Sequence, residues 1–250
     1  MKLLSLLVFS VLCVGSISCK KSTQGPLPFT PVPFTETQYN YLGTYSPTGR
    51  PDYLLKPDSL SKGLLSFIES NLPEQVDITK TNPAFLSANS DIKIERRSEI
   101  NITFVSEGAG QLNTLGYYTY PTGTPPLKAA DIREIKYLFP NASLNWGGGG
   151  LISGDKVKMG NFDPGTSIGF VLIARGWDII NKKVDTKGYH FCSNEILNPE
   201  NDPTLKKHTV LINFPEEGKI FIGFEDTMRT DPSCDNDFND LVIYAKVILL

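Results

Sequence analysis

Residues 219–226 read Lys-Ile-Phe-Ile-Gly-Phe-Glu-Asp, and residues 237–244 read Asp-Phe-Asn-Asp-Leu-Val-Ile-Tyr. Each stretch places a short run of β-branched and aromatic residues beside a group of acids. Such runs favour strands, whereas Asp, Asn, Pro and Ser between them favour a connection. We therefore predict strands over residues 219–224 and 241–249, joined by an acidic turn over residues 225–240.

The same pattern of short apolar runs extends toward the N-terminus as far as about residue 90. Gly, Pro, Asn and Asp separate the runs, and this spacing is typical of an all-β domain. The further predicted strands span residues 91–96, 100–104, 115–120, 135–139, 156–162, 167–174 and 208–214. The fold is therefore predicted to be mainly β, an antiparallel β-sandwich of the jelly-roll kind.

One N-terminal helix is expected over residues 58–72. Apolar residues recur there at helical spacing, and Pro73 ends the run. Asp58 or Ser59 is expected to cap the first turn, because their side-chain oxygens can accept hydrogen bonds from its free N–H groups.

The N-terminus begins with Met1 and Lys2, followed by an uncharged run over residues 3–17. This run is too short to span a bilayer, which takes about 20 residues, but it suits a secretory signal peptide. It ends in Ser-Ile-Ser before Cys19, which is similar to a bacterial lipobox. We predict cleavage after residue 18 and a lipid on Cys19; an ordinary secretory signal with an incidental cysteine is the alternative.

Four prolines among Ser, Thr and Gly follow the cysteine within residues 20–33. Such a segment favours extended polyproline II and acts as a spacer. The predicted organisation is a signal peptide over residues 1–18, a lipidated cysteine with a Pro-rich tether over 19–37, a helix-containing lead-in over 38–89 and the β-domain over 90–250.

The charge of the chain is concentrated in one place. Lys and Arg number 24 and Asp and Glu 27 among 250 residues, so the formal net charge is only −3. This balance gives no electrostatic footprint for nucleic acid. Within residues 225–240, however, six acids face one arginine, a local charge of −5. Crowded carboxylates repel one another, and a bound cation is the simplest compensation.

The donor atoms in the acidic turn are all oxygens. Asp235, Asp237 and Asn239 alternate, and Glu225, Asp226 and Asp240 bracket the turn. Oxygen donors select hard cations, and Ca2+ takes six to eight of them in irregular geometry. The spacing does not match an EF-hand loop, since Asp240 stands where that loop needs Gly. The alternative is a solvated loop whose Asp and Asn side chains cap turn N–H groups.

Transition metals are not favoured by the histidines or cysteines. His190 and His208 are isolated, and no close Cys/His cluster exists. After cleavage, Cys192 and Cys234 are the two remaining thiols, which in an oxidising compartment indicates one disulfide. Two separate buried thiols are the alternative.

Several phrases resemble a known bacterial family over roughly residues 90–247. They are Phe104-Val-Ser-Glu-Gly-Ala-Gly110, Leu115-Gly-Tyr-Tyr118, Gly165-Thr-Ser-Ile-Gly-Phe170, His208-Thr-Val210, and Gly223-Phe-Glu-Asp226 with Asp237-Phe-Asn-Asp-Leu-Val242. The family is a β-rich domain of unknown function in exported bacterial proteins, with related domains in LruC-type lipoproteins and calcium-rich adhesins. The Cys-Lys-Lys anchor resembles lipoproteins of the Bacteroidetes group.

The resemblance implies a non-enzymatic surface module. It also implies that the acidic turn is a characteristic motif of the family. The positions carried over are Glu225, Asp226, Asp237, Asn239 and Asp240, and Glu107 lies in the other signature. We therefore expect a lipid-anchored protein of the bacterial outer membrane, facing the periplasm or the cell surface, whose Ca2+-binding module serves adhesion or ligand binding.

The partner expected is a surface glycan or a protein. Five aromatic residues are candidates for stacking on sugar rings: Tyr117, Tyr118, Tyr120, Trp146 and Trp177. Core packing is the competing interpretation for each. Two other functions stay open: a glycoside hydrolase using paired carboxylates such as Glu107 and Glu225, and a purely structural envelope domain.

The anchor generates the first prediction. Cys19→Ser should release the protein into the soluble fraction, since it removes the acyl chains that hold it to the bilayer. Fractionation of cells without detergent measures this. Retention of the Cys19→Ser protein in membranes would place the anchor elsewhere.

Overall fold

The strands alternate with tight turns through almost the whole chain, as seen in a computed structural model that describes residues 34–217 and 219–250. The strands are β1 (Gln38–Tyr41), β2 (Ile92–Lys93), β3 (Ser98–Ser106), β4 (Thr114–Pro121), β5 (Glu134–Phe139), β6 (Lys156–Phe162), β7 (Thr166–Ile173), β8 (Trp177–Asp178), β9 (Lys183–Val184), β10 (His190–Cys192), β11 (Thr209–Phe214), β12 (Lys219–Phe224) and β13 (Leu241–Leu249). The mainly β prediction is confirmed.

Two large sheets and a small hairpin contain these strands. The first sheet has the order β1-β5-β4-β7-β10, with β2 also paired to β7, and the second has the order β11-β12-β13-β3-β6. The pair β8–β9 stands apart as a hairpin. All pairs are antiparallel except β1 with β5. Since β1 belongs to the predicted lead-in, that segment is built into the first sheet.

The largest apolar cluster lies between the two sheets. Phe104 of β3 and Phe224 of β12 meet Phe170 of β7 and Phe139 of β5 there. Each sheet is also covered on its other face, the first by a cluster that contains Tyr137 and the second by a cluster that contains Val242. Burial on both faces explains why β7 is a nearly continuous apolar run, whereas a half-exposed strand would alternate.

Helix α1 (Lys62–Asn71) covers the outer face of the second sheet, and a single turn, α2 (Ile78–Thr81), follows it. The predicted helix starts too early, because Ser61 is the residue that caps α1 by accepting from the Leu64 N–H. Asp58 instead accepts from Thr103, Tyr244 and Lys156 of the second sheet. Its carboxylate therefore ties the lead-in to the sheet.

Residues 1–33 lie outside the described part of the chain, so the predicted signal peptide, Cys19 and most of the tether do as well. Residues 34–37 already pack on the first sheet: Phe34 is buried and stacks on His190, and the Thr37 hydroxyl donates to the Ile132 carbonyl. The tether predicted to extend to residue 37 is therefore too long at this end. None of the helices in the described ranges has the length and apolarity needed to cross a bilayer.

The predicted disulfide is not formed, and both Cys192 and Cys234 are free thiols. Cys192 is fully buried in the apolar cluster on the outer face of the first sheet, with Val171 and Leu197. Cys234 lies in the acidic turn with its thiol beside Glu225. The two cysteines are thus held in different surroundings, and the alternative of two separate thiols applies.

Two adjacent leucines of α1 test how much the helix contributes to stability. Leu64 is fully buried, whereas Leu65 is 40% exposed. Leu64→Ala should lower the free energy of unfolding by about 2–5 kcal/mol because it leaves a cavity. The matched change Leu65→Ala should stay within about 0.5 kcal/mol. Urea unfolding measures both, and equal effects would show that α1 does not pack as described.

Candidate metal centre

Strand pairing brings the two ends of the acidic turn together. Phe224 is paired with Leu241 across β12 and β13. Glu225 and Asp226 follow Phe224 directly, and Asp240 precedes Leu241. Residues far apart along the turn therefore meet where β12 ends and β13 begins, at one end of the strands of the second sheet.

Glu107 lies at the same end of the sheet, directly after the neighbouring strand β3. Ser106 at the end of β3 pairs with Val242 near the start of β13, so the next residue of β3 arrives beside the turn. Glu107 is 6% exposed, and its carboxylate accepts from the Leu144 N–H at 3.1 Å. The negative charge of Asp226 contributes to the raised pKa of Glu107, after burial.

Glu225, Asp226 and Asp240 form a carboxylate cluster, which we call the primary cluster. One carboxylate oxygen from each lies within 4.8 Å of those of the other two. Oxygens that share one Ca2+ at about 2.3–2.6 Å can be no more than about 5 Å apart, so the spacing fits a common cation.

Neutral donors orient two members of the primary cluster. The Asp226 carboxylate accepts from Gln111 Nε2 at 2.9 Å and from Asn113 Nδ2 at 2.6 Å. Asp240 Oδ2 accepts from the Asp226 backbone N–H at 2.8 Å. Glu225 differs, because its Oε2 atom is buried without a hydrogen-bond partner. A buried carboxylate oxygen without a donor is accounted for by a proton, a water molecule or a cation.

The protonation behaviour of the cluster reflects its burial. Burial first, and then the Asp226 charge, raises the pKa of Glu225 to about 8. Burial likewise raises the pKa of Asp226, and burial together with both neighbours raises that of Asp240 well above its usual range. Burial raises the pKa of Glu107 to about 7. The protonated forms of these carboxyl groups are therefore favoured, and a cation would compete with the protons.

A second acidic group contains Glu74, Asp235 and Asp237, whose carboxylate oxygens also lie within 4.8 Å of one another. Asp237 accepts from the backbone N–H groups of Gln75 and Asn239, at 2.8 and 3.0 Å. Burial raises the pKa of Asp237 to about 6. This second acidic group is more exposed than the primary cluster. Its best-buried member, Asp237, already accepts two backbone hydrogen bonds.

Phe238 fixes the turn to the body of the protein. Its ring is fully buried in the cluster under α1, with Leu72 and Val242. A Cβ on Gly223 would lie 2.4 Å from the Phe238 carbonyl oxygen, so only glycine allows this approach. Asn236 and Phe238 have positive φ values of 59° and 57°, a conformation that is uncommon for residues other than glycine.

The segment that contains Glu107 and Gly108 also contacts the acidic turn directly. Gly108 donates its N–H to the Asn239 carbonyl at 3.1 Å. A Cβ on Gly108 would lie 2.1 Å from Asn239 Oδ1. Asn239 Nδ2 in turn donates to Glu74 at 3.2 Å. Asn239 therefore links the β3 turn to the second acidic group.

His208 is a buried neighbour of the site. Its Nε2 lies 2.7 Å from Glu200 Oε1 and its Nδ1 lies 3.1 Å from the Glu225 carbonyl oxygen. Both ring nitrogens are thus engaged, and the site is left with oxygen ligands. His190 is likewise buried, with its nitrogens engaged by Tyr39 and the Gly188 carbonyl.

The seven predicted ligands therefore divide between two places. Glu225, Asp226, Asp240 and, at their edge, Glu107 lie together, whereas Asp235, Asp237 and Asn239 lie with Glu74. Sequence reasoning missed Glu74 and the supporting amides of Gln111 and Asn113. Glu74 is a single acid far upstream of the turn, and no local pattern marks it.

The aromatic candidates are placed differently from one another. Tyr117, Tyr118 and Trp177 are at most 4% exposed and belong to the packed interior, and Tyr120 is half-buried. Trp146 is 72% exposed and follows Leu144, which donates to Glu107.

Comparison with known proteins finds a domain described as a domain of unknown function, DUF4114, over residues 162–247. The match runs from the end of β6 into β13 and includes the whole acidic turn; Glu107 and Glu74 lie before it. It bears out the resemblance to a domain of unknown function. No curated protein and no solved structure matches the chain.

The raised pKa values predict an unusual dependence of stability on pH. Glu225 has a folded-state pKa of about 8 and Glu107 of about 7, against about 4.3 when unfolded. Between these values the folded state binds more protons, so in metal-free buffer stability should fall as pH rises from about 5 to about 8. Melting temperatures in metal-free buffer at both pH values measure this.

Calcium should act in the opposite sense, because it competes with those protons. The rise in melting temperature caused by Ca2+ should be larger at pH 8 than at pH 5. A metal-free protein that becomes more stable from pH 5 to pH 8 would contradict the assigned protonation of the cluster.

Proposed function

We propose that this protein is a non-catalytic, calcium-binding β-module of the bacterial cell envelope. The primary cluster of Glu225, Asp226 and Asp240 is the proposed ion site, with Glu107 at its edge. The observation that carries the proposal is the Glu225 Oε2 atom, which is buried beside two other carboxylates and has no donor. A cation supplies what that atom lacks and removes the repulsion among the three groups.

Calcium is preferred over other cations because of the donors. The ligands are carboxylate oxygens, and the nearby imidazole of His208 is already engaged on both sides. Hard oxygen ligands in irregular geometry suit Ca2+, whereas Zn2+ prefers nitrogen and sulfur. The second acidic group, containing Asp235 and Asp237, is a further candidate position.

The domain is proposed to be held at the outer membrane by a lipid on Cys19, with the two packed sheets forming a jelly-roll-like sandwich. The uncharged N-terminal run and Ser-Ile-Ser-Cys support the anchor. An anchored domain would present its loops for adhesion or for ligand binding.

A glycoside hydrolase is less well supported. An acid/base pair needs carboxyl groups whose pKa values are pushed apart. Here the pKa values of Glu107 and Glu225 are both raised, to about 7 and about 8. The cleft beside Asp226 has a volume of about 90 Å³, whereas ligand pockets usually have about 300–1,000 Å³.

Titration calorimetry of the full chain with Ca2+ tests the proposal. We expect binding heat and a rise in melting temperature; a ligand at about 100 times its Kd stabilises by about 2.7 kcal/mol. Glu225→Gln and Asp240→Asn should abolish the response at the primary cluster. Because each variant replaces a carboxyl group whose pKa is raised with a neutral amide of similar size, neither should lower the melting temperature of the metal-free protein.

Glu95→Gln serves as a matched control, since the Glu95 side chain is 79% exposed and lies away from the cluster. It should leave calcium binding unchanged. The stoichiometry, with Asp237→Asn, measures whether the second acidic group also takes an ion. No binding heat and no thermal shift in millimolar Ca2+ would refute the calcium site.

A further inference from the structure

Two loops present large apolar side chains to solvent. Trp146 is 72% exposed in a short turn between β5 and β6, and Ile180 is 86% exposed at the tip of the β8–β9 hairpin. Ile179 beside it is 50% exposed. We call these three residues the apolar tips. Exposed apolar side chains that gather at one place mark interaction surfaces, whereas single ones are normal.

The two loops flank one residue of the β3–β4 connection, Leu112. The Trp177 N–H at the base of the hairpin donates to the Leu112 carbonyl at 3.0 Å. A Cβ on Gly148 would lie 3.7 Å from Leu112 Cδ2. Both loops therefore rise from the same end of the sheets.

This end is also the end that holds the primary cluster. The β3–β4 connection contains Gln111 and Asn113, which donate to Asp226. The turn before Trp146 is held by Glu107, which accepts from Leu144. The apolar tips and the buried carboxylates therefore lie at the same end of the domain.

The hairpin tip has a defined shape. The Asp178 carboxylate accepts from the backbone N–H groups of Ile180 and Asn181, each at 2.9 Å, and from Asn181 Nδ2. The base is fixed by the buried Trp177 ring, which packs edge-on against Tyr45. The isoleucines are therefore displayed on a prearranged turn, so little ordering entropy would be lost on docking.

Lys182 and Lys183 are exposed in the hairpin, and Lys187 is exposed three residues after it. An aliphatic tip, an exposed tryptophan and flanking lysines are the residue types that lie at a membrane interface. Lysine stems can follow the apolar boundary while their ammonium groups meet anionic headgroups. A glycan site would instead offer a concavity with polar groups, whereas these tips project outward.

We propose that the apolar tips dock this end of the domain onto a membrane surface that contains anionic lipids, in the calcium-loaded state. The calcium dependence rests on the proposed function, since an ion in the primary cluster offsets the negative charge of whichever of its carboxyl groups are ionised at the end of the domain that meets the headgroups. From Cys19 to Phe34 the chain reaches at most about 50 Å. An anchor at Cys19 would therefore keep the domain close to such a surface and raise its effective concentration there.

Intrinsic fluorescence tests the docking without added labels, because the chain has only two tryptophans. Trp146 is exposed and Trp177 is 1% exposed, so a change at the membrane reports on Trp146. The full chain is mixed with vesicles of phosphatidylcholine and phosphatidylglycerol. Part of the phosphatidylcholine carries bromine in its acyl chains, which quenches tryptophan fluorescence. With Ca2+ we expect a blue shift and quenching of Trp146, both lost in Trp146→Phe.

Variants separate docking from calcium binding. Ile180→Ser should lower the ratio of docked to undocked protein by about tenfold, the effect of withdrawing one isoleucine from an apolar environment. Its calorimetric calcium binding should be unchanged. Ile220→Ser is the matched control, because Ile220 is 46% exposed but lies at the opposite end of β12 from Glu225.

Calcium binding without quenching of Trp146 would overturn the membrane assignment and leave the proposed function standing. Absence of calcium binding would overturn the proposed function itself. Quenching that persists at full strength in a chelator would overturn the calcium dependence. A blue shift of Trp146 produced by soluble oligosaccharides, without quenching by brominated lipid, would assign the tips to a glycan instead.

Discussion

The pairing of Phe224 with Leu241 is the constraint on which the site depends. It closes the acidic turn at its base, so that Glu225, Asp226 and Asp240 must share a small buried volume. Strand pairing and core packing stabilise this arrangement, while the like charges oppose it. Burial and mutual repulsion raise the pKa of these carboxyl groups, which favours their neutral forms. A bound cation is the other way to neutralise them. Binding of the proposed ion would therefore be coupled to the stability of the second sheet.

The rest of the turn is held by apolar and backbone contacts rather than by charge. Phe238 anchors its middle in the core beneath α1, and Gly223 leaves room for the Phe238 carbonyl. The segment after α1 closes over it, since Gln75 donates to Asp237 and Ile78 donates to the Asn236 carbonyl. The lead-in is thus part of the site, which explains how an acid as distant as Glu74 reaches Asp235 and Asp237.

Much of the fold follows from local pattern. Strands β6, β12 and β13 have the predicted bounds, because turn residues directly precede each of them. The short strands β1, β8, β9 and β10 were not predicted, since two to four residues carry no period that a pattern can reveal. The cap of α1 was assigned to Asp58 or Ser59, but Ser61 takes that role while Asp58 bonds across to the second sheet. Such long-range partners have no local signal.

The sequence by itself determined the class of the protein, mainly β, and the place where its negative charge is concentrated. Composition and residue spacing are properties of the sequence alone, so the sequence is enough to establish them. The tertiary structure decided how the acids are grouped: Glu107 beside Asp226, Glu74 with Asp235, and Cys192 apart from Cys234. It also decided that Trp146 is exposed while Trp177 is buried. These outcomes depend on which strands become neighbours, and strand order is set by the packing of whole sheets rather than by any one segment.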